Sequence, residues 1–122
     1  MKRFVVAVVV VATAAVLGLI AKPSAARADS FDGVWSVLIA TAQGNCGSYR
    51  AAVQISGGQV SSAEGDYAIS GTVTGSGATA VTVISNQGSA SGTGRLHGTS
   101  GSGRWRSSSG ECSGAWTAAR RQ

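Results

Sequence analysis

The sequence predicts an all-β fold, a small up-and-down antiparallel meander of seven or eight strands that closes, or nearly closes, into a β-barrel. Three observations lead there. Between residues 29 and 122 no stretch keeps an apolar period of three to four residues over three turns; short runs of Val, Ala, Thr and Ser are bounded instead by glycine pairs. Eight strands of about six residues, with connections of about four, fill that length, which suits a meander better than a Greek key with long crossings. The same region has no Lys and no Pro. Those residues commonly protect exposed sheet edges, so pairing the first strand with the last is the arrangement that leaves no edge open.

Residues 1–28 are set apart from the barrel. Lys2 and Arg3 precede an apolar run over 4–21, followed by Pro23 and the small-residue pattern Ala26-Arg27-Ala28, the layout of a secretory signal peptide cleaved before Asp29. An uncleaved anchor helix is the competing reading, because the run is long for a signal peptide and borderline for a span. Cleavage leaves one domain, 29–122, with a modest core and no membrane span, in the periplasm or secreted. It also removes Lys2, Arg3, Lys22 and Arg27, so that six arginines face Asp29, Asp32, Glu64, Asp66 and Glu111 for a net charge of +1. That balance argues against nucleic acid as a partner.

The two cysteines, Cys46 and Cys112, are most simply a disulfide in an oxidising compartment. On the chain-entropy argument it would stabilise the fold by roughly 4 kcal/mol.

The first strand, 34–41, is apolar on both faces, with Trp35, Val37 and Ile39 on one and Val34, Leu38 and Ala40 on the other, and is expected to be the best buried. Residues 46–55 follow after the turn at 42–45, with Tyr49, Ala51, Val53 and Ile55 alternating against Ser48, Arg50, Ala52 and Gln54. Gly57-Gly58 turns the chain into a short strand at 59–62, and Glu64-Gly65-Asp66 reads as a solvated turn. Strands at 67–73 and 78–85 flank Gly75-Ser76-Gly77. The segment SGTGRLHG at 91–98 is then echoed by SGSGRWRS at 100–107. Placing 99–102 in the loop pairs Gly98 with Gly103, sets Leu96 against Trp105 on the inner side, and opposes Arg95 to Arg106 and His97 to Arg104 outside. The last strand, 112–120, puts Cys112, Gly114, Trp116, Ala118 and Arg120 on one face, and closure would bring Trp35 and Trp116 together.

The opening Phe31-Asp32-Gly33-Val34-Trp35 carries a G-x-W motif that resembles the first strand of the calycin barrels: lipocalins, avidins and periplasmic metalloprotease inhibitors. The resemblance implies an arginine on the last strand packed over the tryptophan, for which Arg120 is the match and Arg121 the alternative. Over more of its length the chain resembles small exported β-proteins of Gram-negative bacteria that begin F-D-G-x-W, contain S-G-S-G-x-W and end C-S-G-x-W-x-A-x-R. Here those are residues 31–35, 100–105 and 112–120.

Chemistry is sparse. His97 is the single histidine and is placed outside, away from the acids, so neither a hydrolase triad nor haem ligation is expected, and catalytic residues are predicted to be none. No C-x-x-C or H-x-x-x-H spacing suggests a metal, no helix follows the Gly-x-Gly patterns, and no cofactor is expected. Trp35, Tyr49, Tyr67, Trp105 and Trp116 either form the core or line a pocket, with Gly92, Gly94 and Gly98 giving room for one or the other. An outer cluster of Arg95, His97, Arg104 and Arg106 would repel itself and suit an anionic envelope component or a protein. The outward Ser, Thr and Arg residues argue against an outer-membrane barrel. The functional expectation is an exported, non-catalytic binding or interaction module; a calycin-like periplasmic protease inhibitor and a purely structural envelope protein are the alternatives. A small-molecule ligand and the oligomeric state are left open.

Overall fold

The computed structural model describes residues 28–64 and 67–121. The expected signal segment up to residue 27, and the acidic turn at Gly65 and Asp66, lie outside the described residues. A 3-10 turn at Ala28–Phe31 leads into eight strands: β1 (Gly33–Gln43), β2 (Ser48–Ser56), β3 (Gln59–Glu64), β4 (Ala68–Val73), β5 (Ala78–Ser85), β6 (Gly88–His97), β7 (Ser100–Ser107) and β8 (Ser113–Arg120). Each pairs antiparallel with its neighbours in sequence and β8 pairs with β1, so the meander is a closed barrel.

Two-residue alternation decides which side chains point inward. The buried residues Trp35, Val53, Ile55, Val60, Ile69, Val73, Leu96, Trp116 and Ala118, with Phe31, form one core cluster inside the ring of strands. β1 is not the best-buried strand: it holds the fully buried Trp35, but β2 contributes Ala52, Val53 and Ile55. Both faces of β1 are apolar, yet a single-layered barrel has nothing outside to cover Val34 and Leu38, which stay half-buried among neighbouring side chains.

The β6–β7 hairpin is tighter than expected. His97 pairs with Ser100, leaving Gly98-Thr99 as a two-residue turn, with Gly98 at φ 57° as the first position of a type II′ turn requires. The pairing is therefore displaced by an even number of residues, which preserves the inner and outer faces but changes every partner. Leu96 opposes Gly101 and Trp105 opposes Gly92, while Arg95 faces Ser102, Arg104 faces Thr93 and Arg106 faces Ser91. The expected opposition of basic side chains is absent. Gly98, expected on the inner wall, belongs to the turn.

The two ends of the barrel differ. At the end where β1 begins, the 3-10 turn folds under the strands: Phe31 is buried, Trp35 Nε1 donates to Phe31 O at 2.9 Å, and Gly57 N donates to Asp32 Oδ1 at 2.9 Å. At the opposite end Cys46 and Cys112 form a disulfide that ties the β1–β2 connection to the β7–β8 connection. Both cysteines lie just outside the strands in which they were expected.

Candidate functional site

The Trp35–Arg120 pair closes the barrel at its covered end. The two residues are cross-strand partners, and the Arg120 guanidinium carbon sits 5.2 Å from the centre of the indole. Arg120 Nη2 also donates to Ser30 O at 2.6 Å, holding the 3-10 turn against the barrel. Arg121, the alternative for this role, instead donates Nε to Ser36 Oγ at 2.7 Å on the outer wall. Trp116 does not meet Trp35; the β1–β8 register sets it opposite Ile39, four residues further along β1.

Above this floor the lumen stays open. A cavity of about 850 Å³ runs from Trp35, Leu96 and Ala118 up to the opposite rim, within the ~300–1,000 Å³ usual for small-molecule sites. Val37, Ile39, Ala51, Val53, Val81 and Val83 make its walls. Tyr49, Tyr67 and Trp105 line it as well; Tyr49 is 37% exposed, and Tyr67 and Trp105 are half-buried. The rim adds Ser85, Asn86, Gln87, Ser89 and Ser107–Ser109, all uncharged, and no described residue lining the cavity carries a charge.

Large indoles would be expected to fill so small a barrel, and the structure shows how they leave it open. Trp116 lies along the wall: its Nε1 donates to Thr93 O at 3.2 Å, so the ring spans from β8 across β7 to β6. A Cβ on Gly94 would stand 2.5 Å from the ring, and one on Gly103 would stand 2.7 Å from it. Trp105 leans the other way, crossing β8 at its partner Gly114 to donate Nε1 to Ala40 O at 2.9 Å. Glycines on the inner wall thus make room for indoles laid against it, and the lumen remains for something else.

The aromatic residues anticipated from the sequence are therefore brought together around one cavity, in different roles. Trp35 is floor, Trp116 is wall, and Tyr49, Tyr67 and Trp105 surround the open end. The serine-rich rim comes from strand ends and the connections between them. What links its segments is that connections two apart in a meander emerge at the same end, so 85–89 and 107–109 border one opening. Ser62 contributes near the same end: its Oγ donates to Tyr67 O and accepts from Ile69 N, both at 2.7 Å, where the regular β3–β4 ladder has ended.

Arg95, His97, Arg104 and Arg106 are all exposed on the outer wall, outside the cavity lining. Among the described residues no group of three or more His, Cys, Asp or Glu is placed to hold a metal ion. Comparisons with protein-family models, with curated proteins and with solved structures return no match.

Proposed function

We propose that this chain is an exported, non-catalytic binding module whose lumen takes an uncharged small molecule with a largely apolar body. The observation that carries this reading is the cavity of about 850 Å³, closed by Trp35 and Arg120, walled by aliphatic and aromatic side chains and opening through a rim whose described lining residues are polar and uncharged. A buried charge without a partner is strongly disfavoured, so a wall with no charge among its described residues selects against ions and for apolar surface. Hydroxyls and amides at the rim would satisfy a polar end near solvent. Export is supported by the Cys46–Cys112 disulfide and by the signal-like sequence of residues 1–28. The non-catalytic reading is supported by the position of His97, on the outer wall near the covered end, remote from the serines of the rim.

The protease-inhibitor alternative needs an N-terminal segment free to enter a protease cleft. Here Ser30, Phe31 and Asp32 are engaged with Arg120, Trp35 and Gly57, which favours the lumen instead.

Titration with the neutral fluorophore N-phenyl-1-naphthylamine tests the reading through tryptophan quenching and probe emission. The native chain should bind it saturably, and Ala51→Phe or Val83→Phe, which fill the lumen from different walls, should weaken binding roughly tenfold while keeping the native circular dichroism. Absence of saturable binding, or equal binding by the folded lumen variants, would refute it.

A further inference from the structure

The arginines of the barrel fall into two groups. Arg95 donates Nη1 to Ser76 O at 3.1 Å, Arg120 holds Ser30 and covers Trp35, and Arg121 holds Ser36. These three fasten the β4–β5 turn, the 3-10 turn and the end of β8 to the wall. Arg50 on β2 and Arg104 and Arg106 on β7 fasten nothing: all three are exposed, and no side chain among them makes a hydrogen bond or ion pair with a described residue; Arg104 and Arg106 stand together.

Their placement is regular. They are alternate residues of β7, so their side chains leave the same outer face about 7 Å apart. Thr93 and Ser91 stand opposite on β6, and Ala115 and Ser113 opposite on β8. With Gln43 at the end of β1, the two arginines, Ser91, Thr93 and Ser113 line a depression of about 460 Å³ on the outer wall. No acidic residue occurs on β1, β6, β7 or β8. Two guanidiniums with their donors uncommitted, bordered by hydroxyls and a primary amide, make a surface suited to oxyanions, since guanidinium presents paired N–H groups that match carboxylate and sulfate.

We infer that this depression binds an acidic polysaccharide, a glycan chain bearing carboxylate or sulfate groups, on the outside of the barrel and independently of the lumen. The cationic row does not stop at the depression. Arg95 and His97 occupy the next two rows of the hairpin on β6, so four basic residues cross it diagonally over about 20 Å, a span that a chain follows and a single small ion does not. Their cross-strand partners, Ser91, Thr93, Ser102 and Ser100, can bond sugar hydroxyls. A bilayer would also need apolar side chains to enter it, and the large exposed apolar residues among those described, Tyr49 and Ile84, lie outside the depression.

Retention on immobilised polygalacturonate, with neutral dextran as the blank, tests the inference at low and moderate salt. Arg104→Gln, Arg106→Gln and Arg50→Gln each remove one positive charge, but Arg50 is an exposed residue of β2 outside the depression. The native chain should be retained on polygalacturonate in a salt-dependent way and not on dextran. Arg104→Gln and Arg106→Gln should each weaken retention roughly fivefold to tenfold, and Arg50→Gln less than about twofold. Ala51→Phe should leave retention unchanged, which keeps this site separable from the lumen. Equal weakening by all three arginine variants would reduce the effect to net charge and overturn the inference. So would absence of retention at low salt, loss of retention in Ala51→Phe, or binding to phosphatidylglycerol vesicles or to inorganic phosphate as strong as to the polysaccharide at equal anion concentration.

Discussion

Arg120 joins three parts of the molecule at one point. Its guanidinium covers the Trp35 indole, its Nη2 holds the Ser30 carbonyl, and its backbone pairs β8 with β1. Replacing it with Met keeps much of the packing and removes the charge, so Arg120→Met should destabilise the barrel by about 1–3 kcal/mol in urea unfolding, the sum of a cation–π contact and a charge-assisted hydrogen bond. A change below ~0.5 kcal/mol would mean that the pair merely sits at the closure. Gly103 is the counterpart on the wall. A Cβ there would stand 2.7 Å from the Trp116 ring and nearer still to the Thr93 carbonyl, a backbone atom that cannot swing aside. Gly103→Ala should cost about 1–3 kcal/mol and shift Trp116 emission, because the indole must leave its bond to Thr93. At this scale the G-x-W motif and strand parity were enough to single out Trp35 and Arg120. The lie of Trp116 was not legible, because glycines on an inner wall admit either a ligand or a ring, and only the three-dimensional register chooses between them.

Elements are where local pattern and long-range pairing part company. The strand at Ala78–Ser85 is read from its alternation without error, since β-branched residues and flanking turns define it locally. The β6–β7 hairpin is recovered as a hairpin but in another register: the echoed segments contain several Gly and Ser positions that could each serve as the turn, and a displacement by an even number of residues leaves the hydrophobic pattern unchanged. Only Gly98 at positive φ settles it. The disulfide is the opposite case, because two cysteines in the chain leave a single intramolecular pairing. Its sequence separation of 66 residues predicts that the Cys46→Ser/Cys112→Ser chain loses about 4 kcal/mol of stability. Chemical denaturation of the two chains checks this, and a loss below about 1 kcal/mol would show that barrel closure alone restrains these connections.

As a whole molecule the protein is a closed ring of strands with one covered end, one open end and an interior that is uncharged among the described residues. Closure was legible because joining the first strand to the last is the economical way for a meander without Lys or Pro to protect its edges. The lumen was not, because its volume depends on how three tryptophans lie, and that follows from contacts between residues far apart in sequence. Inner and outer walls carry different chemistry, apolar within and cationic on the β6–β7 face without, so each should respond to its own class of ligand. Methyl-resolved NMR during titration with N-phenyl-1-naphthylamine distinguishes the two surfaces residue by residue. Saturable shifts confined to lumen methyls, those of Val37, Ile39, Val81 and Val83, are the predicted result. Shifts centred on Val34, Leu38 and Ile84 of the outer wall, with the lumen methyls unmoved, would contradict it.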